Sequence, residues 1–175
     1  MSEIFSSVLV LPTDLERLAV IETQVDELLR HAPPFAEADI VRYNIHLAVH
    51  ELCVNIIKHA YEGAAGKWTL TLSLLDDPWR VEVSTCDGGS RRFDAGLWMP
   101  PDLDDLPVHG LGIFLIHSLM DEVSYAPEAE CSRWRLVKRL PVADDGPMDG
   151  RGMRSAGGAS PAEQDSTTAD LMPVQ

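Results

Sequence analysis

Glu51-Leu52-Cys53-Val54-Asn55-Ile56-Ile57-Lys58-His59-Ala60-Tyr61 is a helical run in which two polar residues, Glu51 and Asn55, stand four positions apart. At roughly 100° per residue the two project within about 40° of each other, so a carboxylate and an amide share one helix face. The carboxylate can accept a proton, and the amide oxygen can ligate a hard cation such as magnesium. Taken alone, such a pair is more often a solvated face. The helix that carries it is expected from about Glu37 to Tyr61, with Val41, Ile45, Ala48, Leu52 and Ile56 on its apolar stripe and the polar pair at the stripe's edge.

The surrounding elements place that pair. Residues 67–75 and 79–86 alternate around Asp76-Asp77-Pro78 and predict a hairpin, which runs out at Asp87-Gly88-Gly89. Gly110-Leu111-Gly112 opens an apolar helix reaching about Asp121, and glycines there leave backbone amides accessible at the positive end of a helix dipole. Upstream, residues 5–11 read as a strand closed by Pro12. Thr13 or Asp14 then caps a helix carrying Leu15, Leu18, Ile21, Val25 and Leu28 and ending before Pro33-Pro34. A closing strand is expected near 131–140. The sum is an α/β two-layer sandwich, a mixed and mostly antiparallel sheet covered on one face by helices.

Two segments fall outside this core. Residues 88–109 hold three glycines, three prolines and four acidic residues, too long and irregular for an ordinary connection, and read as a lid over a nucleotide. Residues 142–175 contain no aromatic residue, so they bury too little apolar surface to offset ordering entropy. The expected organisation is one domain over 1–141 and a disordered acidic tail over 142–175.

Glu-x-x-x-Asn on a helix, then strands ending in Asp-x-Gly, then a long loop and Gly-x-Gly before a helix, resembles the N, G1 and G2 boxes of the gyrase/Hsp90/histidine-kinase/MutL ATPase superfamily, the GHKL or Bergerat fold. Within it, residues 5–141 most resemble the anti-sigma-factor serine/threonine kinases of the RsbW type. Four stretches carry the resemblance: Glu51 to Tyr61, Gly110 to Ile116, Ser118-Leu-Met-Asp-Glu-Val123, and Arg135-Leu-Val-Lys-Arg-Leu140.

That resemblance implies ATP and Mg2+ as cofactors and a role for each boxed residue. Glu51 is the catalytic base, Asn55 the magnesium ligand, and Asp87 the acceptor for the adenine amino group. Gly89 lets the chain approach the base, and Gly110, Leu111 and Gly112 offer backbone amides to the phosphates. Lys58 and His59 flank the phosphate site, although Lys58 reads equally well as a solvated helix residue. The implied activity is phosphorylation of an anti-sigma antagonist by an anti-sigma factor. The implied partners are a sigma factor, an anti-anti-sigma STAS-domain protein, and a second copy of the chain through the sheet face and first helix.

The sequence also departs from the family. No lysine or arginine lies between Arg92 and Arg133, Val108 stands where some members place an arginine, and His109, fractionally charged at neutral pH, is the nearest substitute. A module that sequesters its partner without kinase turnover is therefore a second reading. The catalytic part of a histidine kinase is a third: His50-Glu51 superficially resembles a phosphoacceptor pair, but no dimerising helix pair precedes it.

Composition excludes other classes. The 175 residues are 45% hydrophobic with a formal net charge of −14, so a phosphate backbone would repel the chain and direct nucleic-acid binding is not expected. Cys53, Cys86 and Cys131 are odd in number without a C-x-x-C pair and suggest no disulfide framework. His46 and His50 beside Cys53 lack a fourth zinc ligand and read as helix-face residues. Without an apolar leader or a span of about 20 apolar residues, a cytoplasmic location and no membrane contact are expected.

Overall fold

The computed structural model describes residues 2–94 and 111–143. Strand β1 (Glu3–Pro12) leads through a short 3-10 turn, Leu15–Leu18, into α1 (Ala19–Leu29). The turn is capped by the Asp14 carboxylate, which accepts the Glu16 N–H at 2.9 Å. Helix α2 (Ala38–Asn55) is followed by the hairpin β2 (Lys67–Leu75) and β3 (Arg80–Asp87), then α3 (Leu111–Leu119), β4 (Glu122–Pro127) and β5 (Ser132–Arg139). The sheet runs β1-β2-β3-β5-β4.

Period-two alternation makes one sheet face apolar. Trp68, Leu70, Leu72 and Leu74 of β2 and Val81 and Val83 of β3 are buried against the helices. The α2 stripe read from the sequence, Val41, Ile45, Ala48, Leu52 and Ile56, is buried throughout. So are Leu18, Ile21, Val25 and Leu28 of the first helical segment. Leu15 alone departs, 44% exposed, because it lies in the 3-10 turn, whose three-residue period carries it off the α1 stripe. The two-layer α/β sandwich is borne out, with all four pairings among the described residues antiparallel.

Three features differ from the sequence reading. Where one helix is expected through Tyr61, α2 ends at Asn55 and continues as a widened π-helical turn, Ile56–Ala60. Such turns cluster at functional sites because they re-aim side chains without breaking the helix. Cys86 and Cys131, expected unpaired, form a disulfide with Cα atoms 5.6 Å apart. The ladder that pairs Asp87 with Ser132 brings the ends of β3 and β5 together, a proximity that 45 residues of sequence separation conceal. Finally, Val142 bridges to Phe35 and Ala36 N–H donates to Pro141 O, so ordered packing reaches just past the expected boundary at 141. Most of the expected tail lies outside the described residues, as do residues 95–109 of the expected lid.

Candidate functional site

The site forms where α2, the start of α3 and the ends of β3 and β5 converge. Glu51 and Asn55 do share one helix face, and Gly112 of α3 is pressed against both. A Cβ at position 112 would lie 2.8 Å from Glu51 Oε2, 3.2 Å from Asn55 Nδ2 and 3.4 Å from Asn55 Oδ1. Any larger residue would displace that pair. One residue of the Gly-x-Gly segment, Gly112, thus meets the helix pair, while Gly110 and His109 lie outside the described residues. Leu111 is the first residue of α3, whose opening turn leaves backbone N–H groups without helical partners.

At the other end, Asp87 is 2% exposed and terminates β3. Burial pushes its carboxyl above the ordinary value of 3.8, partly offset by the Gly89 N–H and by the Arg92 charge. The Gly89 N–H reaches its Oδ1 at 3.3 Å. Gly89 itself packs on the π-turn, where an added Cβ would stand 2.5 Å from Ala60 O. Tyr61 anchors the same loop: its hydroxyl donates to Lys67 O at 2.7 Å and accepts the Gly88 N–H at 3.2 Å. The helix ending Lys58-His59-Ala60-Tyr61 is therefore the wall on which the Asp-Gly-Gly loop rests.

Between these ends lies a cavity of about 480 Å³ lined by Asn55, His59, Asp87 and Gly112 together with residues from the sheet and the loop after β3. That volume is in the range of small-molecule sites. The residues fit a metal-bound nucleotide. Among the described residues, Asn55 Nδ2 is one of two buried side-chain N or O atoms with no partner. Asn55 lines the cavity, and because the two ends of an amide are interchanged by a half-turn, its unpartnered polar atom can serve as an oxygen acceptor or an N–H donor there. Asp87 likewise keeps carboxylate capacity beyond its single long bond to Gly89.

Lys58 is not brought to this cavity. The π-turn directs it to a separate surface recess beside Asp14, Glu16 and Ile57. His59 does line the cavity. The His46 Nε2 lies 2.8 Å from Asp26 Oδ1, Cys53 is fully buried, and no group of three or more metal-binding side chains occurs among the described residues.

Several cavity residues escape the sequence reading. Tyr125 and Trp134 form an aromatic wall with Phe93, ring centroids 4.8–5.5 Å apart. The Tyr125 hydroxyl accepts the Phe93 N–H and donates to Ser132 Oγ, each at 3.1 Å. Arg91 and Arg92 also face the cavity. Their only sequence signal is position, directly after the Asp-Gly-Gly loop.

The chain belongs to the family described as histidine kinase-like ATPase domain, which matches residues 11–138. The resemblance to RsbW-type kinases is borne out by its relatives. The chain is 28% identical over 145 residues to "Serine-protein kinase RsbW" of Bacillus cereus (strain B4264), covering 78% of this chain and 88% of that one. It is 28% identical over 112 residues to the protein of the same name from Bacillus mycoides (strain KBAB4), covering 59% and 69%. A crystal structure of RsbU and RsbW domains from Mycobacterium tuberculosis superposes with a TM-score of 0.55 at 17% identity. It covers 78% of this chain, which spans 32% of that longer one, and supports the fold. No helix among the described residues is long and apolar enough to cross a membrane.

Proposed function

We propose that the protein is an anti-sigma factor with ATP-dependent serine/threonine kinase activity on a STAS-domain antagonist, acting by partner switching. The observation that carries this reading is the contact of Gly112 with both Glu51 and Asn55. That contact supports reading Glu51 as the base and Asn55 as the magnesium ligand, because Asn55 and Gly112 line the same cavity as the buried Asp87.

In this reading Asp87 accepts from the adenine amino group, and Asn55 would hold Mg2+, which when bound would supply positive charge beside the transferring phosphate. The Glu51 carboxylate takes the proton from the antagonist's serine hydroxyl as its oxygen attacks the γ-phosphorus, the bond to the leaving ADP oxygen breaks, and phosphoserine forms. The Leu111 and Gly112 amides meet phosphate oxygens at the start of α3. The sequestration-only reading rested on the stretch without lysine or arginine between Arg92 and Arg133, and Arg91 and Arg92 in the cavity weaken that ground. A homodimer through the open sheet face is supported by Val8 and Val10, 63% and 66% exposed on the edge strand β1.

Labelled ATP, Mg2+ and a panel of STAS-domain proteins test the reading. Transfer of label to a serine or threonine is expected with the wild type and not with Glu51→Gln, which should still bind ATP. A wild type that binds ATP yet labels no antagonist would leave only the sequestering module.

A further inference from the structure

A triphosphate carries several negative charges, and residues 93–132 contribute no lysine or arginine to meet them. The described part of the cavity is lined by two permanent cations, Arg91 and Arg92, along with Asn55, His59 and Gly112. Their surroundings differ. Arg92 Nη2 donates to Ala129 O at 3.4 Å, and its charge acts on Asp87, which places it towards the base end. The Arg91 backbone is held by its N–H donating to Ala60 O at 3.2 Å, at the end of the π-turn that continues the Asn55 helix.

The Arg91 side chain instead reaches Glu62, Nη1 to Oε1 at 3.2 Å, in a pair whose side chains are 67% and 55% exposed. Exposed pairs of this kind contribute little net stability, so exchange for a stronger acceptor is easy. A phosphate oxygen is such an acceptor, and a guanidinium meets it through parallel N–H groups.

We propose that Arg91 is the phosphate-binding cation of this site, exchanging the Glu62 carboxylate for nucleotide phosphate oxygen, with Glu62 parking the side chain between nucleotides. This rests on the ATP-site reading above. It places the positive charge at the start of the segment that follows β3, ahead of the stretch without lysine or arginine.

Calorimetric titration of the full chain with Mg-ATP and, separately, with adenosine tests the assignment. In Arg91→Ala, ATP affinity is expected to fall about tenfold or more while adenosine affinity stays within about twofold, and Arg91→Lys should recover part of the loss. An equal loss for both ligands would mean a merely structural role and would overturn the proposal, as would an Arg91→Ala protein that binds ATP like the wild type. A wild type that binds neither ligand would refute the ATP site itself, and Arg91 with it.

Discussion

Gly88 and Gly89 are adjacent in sequence and opposite in consequence. An added Cβ at Gly89 would meet Ala60 O at 2.5 Å and Ala60 C and Cβ at 2.6 Å, whereas at Gly88 it would meet nothing within 4 Å. The obstacle at Gly89 is backbone of the π-turn, so relief requires the β3 loop and the helix end to separate. Overpacking of this kind costs about 1–3 kcal/mol, which for a chain of this size lowers the melting temperature by roughly 3–10 °C. Separation also moves the Asp87 loop from Ala60 and opens the adenine end of the cavity. Thermal unfolding followed by circular dichroism, with ATP titration on the same samples, is expected to show Gly89→Ala melting lower and binding ATP more weakly. Gly88→Ala should melt within about 1 °C of wild type. Equal melting temperatures for the two variants would refute the packing of the glycine loop on the helix end, and with it the geometry that positions Asp87.

Four further outcomes are expected. Asp87→Asn should abolish ATP binding while melting no lower than wild type at pH 7: burial raises the Asp87 pKa, so its ionisation destabilises the fold above the ordinary value of 3.8, and the amide removes that cost. A drop of several degrees at pH 7 would contradict it. Asp26→Asn should lower the melting temperature at neutral pH, because Arg42 and then His46 hold the Asp26 carboxyl below 3.8. Stability from that lowered pKa is present above the ordinary value of 3.8 and lost as pH falls through the folded value, so the two proteins should converge in acid, as pH-dependent melting would reveal. Reduction, or Cys86→Ser with Cys131→Ser, should destabilise by up to about 4 kcal/mol, given the separation of 45 residues; denaturant unfolding with and without reductant measures it. Removing residues 146–175 should leave the melting temperature nearly unchanged, and a fall of many degrees would show those residues docked on the domain.

Local patterns carried much of this protein's organisation. The stripe from Val41 to Ile56, the hairpin alternation from Trp68 to Cys86 and the Pro12 and Pro33-Pro34 breaks are short-range signals, readable because side-chain periodicity reports which face is buried. Glu51, Asn55, Asp87 and Gly112 were legible as a set because their order matches a known pattern of boxes. Lys58 shows the limit of such matching: a π-turn adds a residue to the helical period, and nothing local in Ile56–Ala60 announces it.

Readable from neighbouring residues are the helix pair, the hairpin strands and the glycine loops, and the order of those boxes along the chain gives the family. Folding in three dimensions was needed to show that Ser132 lies opposite Asp87, that Cys86 reaches Cys131, that Tyr125, Trp134 and Phe93 wall the cavity, and that Arg91 faces it. Each of those depends on β5 pairing with β3 and on Gly89 resting against Ala60. Contacts between segments distant in sequence arise from burying a shared apolar face, and no window of neighbouring residues contains them.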